Sequence, residues 1–194
     1  MTLPRVILAS SSPRRRDLLN LIGVEHEVIP ADIDETYIIG EEASVHAERL
    51  ARGKTETIAR RNRDALVIGC DTVVVIDGQV LGKPRDVADA MRMLRMLEGR
   101  KHAVLTAVAV SWHDRLISEV VEVDVTFRSL AVEEIASYIA TGEPMDKAGA
   151  YGIQGYGATI VSRIEGDYFA VMGLSLVTLV RLMGELGIRY DFPR

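Results

Sequence analysis

Residues 6–23 read Val6-Ile7-Leu8-Ala9-Ser10-Ser11-Ser12-Pro13-Arg14-Arg15-Arg16-Asp17-Leu18-Leu19-Asn20-Leu21-Ile22-Gly23, and this stretch decides the fold class. The apolar run Val6 to Ala9 has the length and composition of a buried strand. The serines and proline make a turn, and Leu18, Leu19, Leu21 and Ile22 then recur at helical spacing up to Gly23. Ser12 suits the N-cap, and Pro13 the first helical position, where a missing N–H costs nothing. A buried strand that passes through a short polar loop into a helix opens an α/β protein.

Working outward, Glu27-Val28-Ile29 is a second short strand that runs into the acidic loop Asp32-Ile33-Asp34-Glu35. Ser44 caps a predicted helix through about Arg61, with Ala47, Leu50, Ala51 and Ile58 on its apolar face. Ala65 to Gly69 is a further apolar strand. Thr72 to Ile76 and Gln79 to Leu81 flank Asp77-Gly78, a dipeptide favoured in tight hairpins. Asp86 caps a helix through Glu98, with Val87, Met91, Leu94 and Leu97 inward, and Gly99 ends it. A long hairpin is expected from Ala103 to Trp112 and Leu116 to Phe127, turning at His113-Asp114. A helix over Val132 to Ala140 stops at Gly142 and leads into a glycine-spaced loop, Met145 to Gly157. Strands around Ala158 to Ile164 and Tyr168 to Val171, turned at Gly166-Asp167, precede a last helix, Leu174 to Leu186. Hairpins that interrupt strand-helix crossovers imply a mixed parallel and antiparallel sheet flanked by helices.

The 194 residues are 48% hydrophobic and 26% charged, the composition of a globular protein long enough for a sizeable core. With no linker, repeat or low-complexity stretch, residues 1–194 read as one domain, or as a single fold with two lobes. The 23 Lys and Arg against 28 Asp and Glu give a net charge of −5, the wrong sign for coating duplex nucleic acid or an anionic membrane. An anionic ligand must therefore be met by a local cluster of cations. The single cysteine, Cys70, makes no internal disulfide, and no Cys/His spacing resembles a zinc site, so a reducing cytoplasm is the expected location. The apolar run ending at Ala9 is too short for a secretory signal, and no run of about 18 apolar residues spans a membrane.

Several residues carry chemistry. Arg14, Arg15 and Arg16 occupy a first helical turn, where the macrodipole repels each cation by roughly 0.3–1 kcal/mol. They form either a solvated basic turn or, with the free N–H groups and Ser10, a polyphosphate site with Arg14 nearest the loop. Lys54 shares the spacing of the buried helix face, so its ammonium either snorkels to the surface or faces a phosphate or carboxylate. Asp71 is delivered by a buried strand, where a charge is costly unless paired or metal-bound, and Thr72 points to the opposite face. Glu35 offers a second hard oxygen, and two such carboxylates suit Mg²⁺ or Mn²⁺. Lys83, in Leu81-Gly82-Lys83-Pro84, is either a surface turn lysine or a phosphate contact at a fixed position. Gln154, in Gly152-Ile153-Gln154-Gly155, offers one acceptor and two donors, the equipment for reading a base edge.

Together, Ile7-Leu8-Ala9-Ser10-Ser11-Ser12-Pro13-Arg14-Arg15, Gly69-Cys70-Asp71-Thr72-Val73-Val74, Leu81-Gly82-Lys83-Pro84 and Glu143-Pro144-Met145-Asp146-Lys147-Ala148-Gly149-Ala150-Tyr151-Gly152-Ile153-Gln154-Gly155 resemble the Maf family of nucleoside triphosphate pyrophosphatases. The resemblance covers essentially the whole chain. It implies a mixed α/β fold related to that of inosine triphosphate pyrophosphatases. It also implies hydrolysis of a nucleoside triphosphate at the α-phosphorus, to monophosphate and pyrophosphate, with a divalent metal cation, Mg²⁺ or Mn²⁺. By motif, Asp71 is similar to the family's proton acceptor, and Arg14, Thr72 and Gln154 to its substrate-discriminating positions. Ser10, Glu35, Lys54 and Lys83 resemble residues lining its polyphosphate and metal pocket, with Glu35 and Asp71 toward the metal. Glutamine after Tyr-Gly-Ile resembles the dTTP and UTP branch, whereas the branch for 7-methylated GTP has an acidic residue there. Cleansing of modified nucleotides is one role such a reaction serves, and the class leaves room for a homodimer.

On the residues alone, two other classes stay open. A nucleotidyltransferase also opens with an apolar strand and a basic phosphate loop, although such loops generally carry glycines where this one has serines. A nucleotide sensor would bind without turnover, and the full set of Asp71, Lys83 and Gln154 argues against it.

Overall fold

The structure, a computed structural model, describes residues 3–192. In chain order its elements are β1 (Val6–Leu8), α1 (Pro13–Leu21), β2 (Glu27–Val28), α2 (Ala43–Ala59), β3 (Leu66–Ile76), β4 (Gln79–Leu81), α3 (Val87–Leu97), β5 (Lys101–Trp112), β6 (Arg115–Phe127), α4 (Val132–Ala140), β7 (Val161–Glu165), α5 (Tyr168–Met172) and α6 (Leu176–Glu185), with short 3₁₀ turns between α4 and β7. The described chain divides into two compact units, residues 3–71, 106–121 and 173–192 forming the first and residues 72–105 and 122–172 the second. Among the described residues no helix is long and apolar enough to cross a membrane.

In the first unit the strands follow the order β2-β1-β3-β5-β6. β1 lies parallel to both neighbours, with Ile7 opposite Glu27 on one side and Val67 on the other. Ile7, Leu8, Leu66, Val67 and Ile68 are all fully buried. Burial on both faces is why β1 and the start of β3 read as continuous apolar runs rather than alternating ones. Each such side chain contributes about 1.5–3 kcal/mol on leaving water. α2 buries the face that carries Ala47, Leu50, Ala51 and Ile58, and Lys54 lies on that same face.

In the second unit the order is β4-β3-β5-β6-β7. The end of β3 turns back into β4 in antiparallel register, Val74 opposite Leu81 and Ile76 opposite Gln79. Both turn residues have positive φ, 50° at Asp77 and 71° at Gly78, the geometry that a two-residue hairpin requires. β6 and β7 pair antiparallel with a register shift between Thr126 and Phe127. α3 packs on α4 through an apolar face that includes Leu94, Leu97, Ile135 and Ile139. Each unit thus combines mixed sheet segments with helices.

Several local expectations change. Ala65–Gly69 and Thr72–Ile76 are portions of one unbroken strand, because Cys70 and Asp71 continue the extended backbone. Residues 168–172 form α5 rather than a strand: Asp167 Oδ1 accepts from Phe169 N at 2.8 Å and offers the backbone a helical start. The segment before β7 is a 3₁₀ turn over Gly155–Thr159. α2 begins at Ala43 with Glu42 at its N-cap, so Ser44 is not its cap. Ser12 holds the N-cap of α1 without a side-chain cap bond, its own N–H being taken by Ser10 Oγ at 3.3 Å. Val87, read above as inward, is exposed, as is Leu21 of the helical repeat in α1, and Met93 takes an inward place on α3.

Candidate functional site

In the first unit, β1 runs parallel to the start of β3, Leu8 being level with Ile68 and Ala9 N donating to Ile68 O at 2.8 Å. The loop after β1 therefore lies at the carboxyl end of that strand, where open α/β sheets place ligands, whereas Asp71 sits in the middle of β3. Ser10 is buried, and its Oγ accepts from Arg15 Nη1 at 3.0 Å. Arg15 Nε also donates to Gly173 O at 2.8 Å. Arg15, passed over above in favour of Arg14, thus ties the serine loop to the start of the last segment, while Arg14 stands half-buried beside it.

Lys54 comes to Asp71 because α2 lies directly on β3. A Cβ on Gly69 would fall 2.2 Å from Thr55 Oγ1 and 2.7 Å from Ala51 O, so only glycine permits this approach. Asp71, two residues further along, has its side chain on the same face as Gly69 and meets Lys54 on that same turn of the helix. Lys54 Nζ lies 2.7 Å from Asp71 Oδ1 and 2.7 Å from Glu35 Oε1. Lys54 and Asp71 are both 8% exposed, whereas the Glu35 side chain is half in solvent. The lysine therefore does not snorkel. It is a buried cation between two carboxylates, in a strong, charge-assisted arrangement. Cys70, on the opposite face, is fully buried, and burial pushes its thiol up to about 11.

The loop that carries Glu35 is held to α2 by a clasp. Glu41 accepts from Arg49 Nε at 2.7 Å and Nη2 at 2.8 Å, and its other partner, His46 Nδ1, lies at 3.0 Å. Arg49 Nη2 also donates to Thr36 O at 3.2 Å, one residue from Glu35. Arg49 foremost, then His46, holds the Glu41 carboxyl down to about 2, against the pull of burial. No local pattern in the sequence marks this pair: an acid eight positions before an arginine is not a helical neighbour.

In the second unit, Thr72 follows Asp71 on β3. Lys83 is exposed on the loop after β4, and Gln154 is exposed in the glycine loop. The loops of Lys83 and Gln154 are joined by Gly149 N donating to Gly82 O at 3.0 Å. Tyr151 is buried, its hydroxyl 2.9 Å from His102 Nε2 and its ring edge-on to Phe127, which anchors the start of the Gln154 turn. Glu143 Oε2 accepts from Tyr156 N at 2.9 Å, and Glu143 Oε1 from Gly157 N at 2.9 Å and Tyr138 Oη at 2.9 Å. Of the residues singled out in the sequence, Ser10, Arg14, Glu35, Lys54 and Asp71 lie in the first unit, where Lys54 joins Glu35 and Asp71, and Thr72, Lys83 and Gln154 lie in the second.

Glu35 and Asp71 suit a hard divalent cation. Their oxygens share one ammonium, so they stand no more than twice 2.7 Å apart. Mg²⁺ takes one or two carboxylates and completes its shell with water and phosphate oxygens. Among the described residues there is no cluster of three or more His, Cys, Asp or Glu that would cage an ion without them.

A family model described as Maf-like protein matches residues 5–186, a span that contains every helix and strand described. The chain is 48% identical over 184 residues to a dTTP/UTP pyrophosphatase of Aquifex aeolicus, covering 95% of this chain and 96% of that one. It is 50% identical over 179 residues to a dTTP/UTP pyrophosphatase of Yersinia pestis, covering 92% and 91%. Among solved structures it is similar to a HAM1 protein from Coxiella burnetii, with a TM-score of 0.49 and 16% identity over 94% of this chain and 100% of that chain. On a match of that length, with relatives of that identity, the chain belongs to the Maf-like protein family.

Proposed function

We propose that this chain hydrolyses dTTP and UTP to the monophosphate and pyrophosphate by attack of water at the α-phosphorus. The observation that carries the reading is the Lys54 ammonium held 2.7 Å from both Asp71 and Glu35. The dTTP/UTP names of the relatives at 48% and 50% identity support the substrate class.

In this reading Asp71 takes the proton of the attacking water, a role that requires hydrogen-bond reach and a fixed carboxylate, and Lys54 fixes it. The water oxygen bonds to the α-phosphorus as the α–β bridging bond breaks, and the electron pair leaves on pyrophosphate. Arg14 and Lys54, with Ser10, hold the triphosphate and stabilise the charge that develops on the leaving group, so their contribution is electrostatic preorganisation; Lys83 is by its motif a phosphate contact. Glu35 and Asp71 would hold a divalent cation, whose chemistry there is to polarise a phosphoryl oxygen and acidify bound water. Thr72 and Gln154 discriminate among substrates, Gln154 by pairing with the adjacent N–H and C=O of uracil or thymine.

Purified protein incubated with UTP or dTTP and Mg²⁺ or Mn²⁺, with no acceptor, tests this. Equimolar monophosphate and pyrophosphate are expected, and activity is lost on chelation. Release of orthophosphate and diphosphate, or binding without product, would overturn the reading.

A further inference from the structure

We infer that Glu143, backed by Tyr138, is a positioning residue for base selection: its carboxylate sets the shape of the turn that presents Gln154. The inference rests on the reading of Gln154 as the base-contacting residue.

Gln154 lies between a buried neighbour, Ile153, and Gly155, whose φ is +66°. Backbone on both sides of it hangs from one pair of side chains. Ahead of it, Gly152 N donates to Tyr138 Oη at 3.0 Å, and Tyr138 Oη donates to Glu143 Oε1 at 2.9 Å. Behind it, Tyr156 N and Gly157 N donate to the two carboxylate oxygens, each at 2.9 Å. A Cβ on Gly155 would fall 2.4 Å from Glu143 Oε2, so the turn wraps the carboxylate without space for another side chain.

Three donors converge on this carboxyl. Burial pushes it up, but the N–H groups of Gly157 and Tyr156 and the Tyr138 hydroxyl outweigh that, and it is held below the usual carboxylate range. An ionised carboxylate presents acceptors only, on both oxygens. A carboxamide of the same shape must turn its NH₂ toward one of these donors and lose that bond. Gln154 would then project from a turn with one support missing, and a misplaced hydrogen-bonding group discriminates poorly between bases.

Specificity constants for UTP and CTP, which differ at the pyrimidine edge, test this in the full chain. In Glu143→Gln the UTP-to-CTP ratio is expected to fall at least fivefold, and in Tyr138→Phe to fall less, in the same direction. A merely structural role would lower both nucleotides by one common factor, and an unchanged ratio in folded Glu143→Gln overturns the inference. Should Glu143→Gln not fold, an unchanged ratio in folded Tyr138→Phe overturns it equally. Gln154→Ala separates the two readings. If it leaves the ratio at the parent value, the assignment of Gln154 fails and the inference falls with it. If it shifts the ratio while Glu143→Gln does not, the positioning role alone fails.

Discussion

Thr55 on α2 and Gly69 on β3 touch so closely that a methyl group on the glycine would stand 2.2 Å from the threonine hydroxyl. That hydroxyl is engaged, donating to Ala51 O at 2.8 Å within its own helix. The same contact brings Lys54 over Asp71, so the packing of a helix on a strand and the charge arrangement of the site have one geometric cause.

Gly69→Ala is therefore expected to push α2 off β3, destabilising the protein by about 1–3 kcal/mol in the manner of an overpacked core. Activity should fall more than stability, because the Lys54 to Asp71 separation of 2.7 Å opens with it. Adding Thr55→Ala relieves the closest clash but leaves Ala51 O at 2.7 Å from the new methyl, so rescue should be partial. Urea unfolding beside UTP turnover measures both.

Asp71→Asn keeps the shape of the side chain and is expected to remain folded while losing at least about 100-fold in turnover, within the usual contribution of a general base. Lys54→Met should cost about 3–5 kcal/mol, because it leaves the buried Asp71 carboxylate without its cation. Near-normal hydrolysis by a folded Asp71→Asn protein would remove Asp71 from the proton-accepting role.

Gln154→Glu replaces a group that donates and accepts with one that only accepts, at an exposed position. Thermal stability should stay within about 0.5 kcal/mol of the parent, as at most surface sites. The base preference, read as specificity constants over a nucleotide panel, should move toward donor-rich or positively charged bases.

The Glu41 clasp has a pH signature. Its carboxyl is held at about 2 in the fold against an ordinary 4.5, so the unfolded chain takes up the proton first as pH falls. The stabilisation is complete above about 4.5 and disappears as pH drops toward 2. Glu41→Gln should thus be less stable than the parent at neutral pH, with the gap in urea midpoint closing over that interval. A gap that stays constant down to pH 2 would show that the clasp contributes nothing through charge.

Secondary structure was legible where burial imposes a period. Val6 to Ala9 and the start of β3 are apolar on both faces because they are covered on both faces, and α2 carries its apolar stripe because that stripe packs on the sheet. The lysine interrupting that stripe was legible as well, since Lys54 breaks a rule of composition at a position set by helical geometry. α5 was not legible: the short run Tyr168 to Val171 fits a strand as well as a helix, and the Asp167 side chain chooses between them.

By themselves, the residues determined the class of the fold, the family motifs and the presence of a misplaced cation on a buried helix face, because each follows from local period or from spacing within one segment. Only the tertiary structure decided what neutralises Lys54, which arginine grips Ser10, and which side chains hold the loops of Glu35 and Gln154. Those answers depend on a glycine that lets a helix meet a strand and on carboxylates that gather donors from separate parts of the chain. Such contacts have no period along the sequence, since what sets them is distance in space.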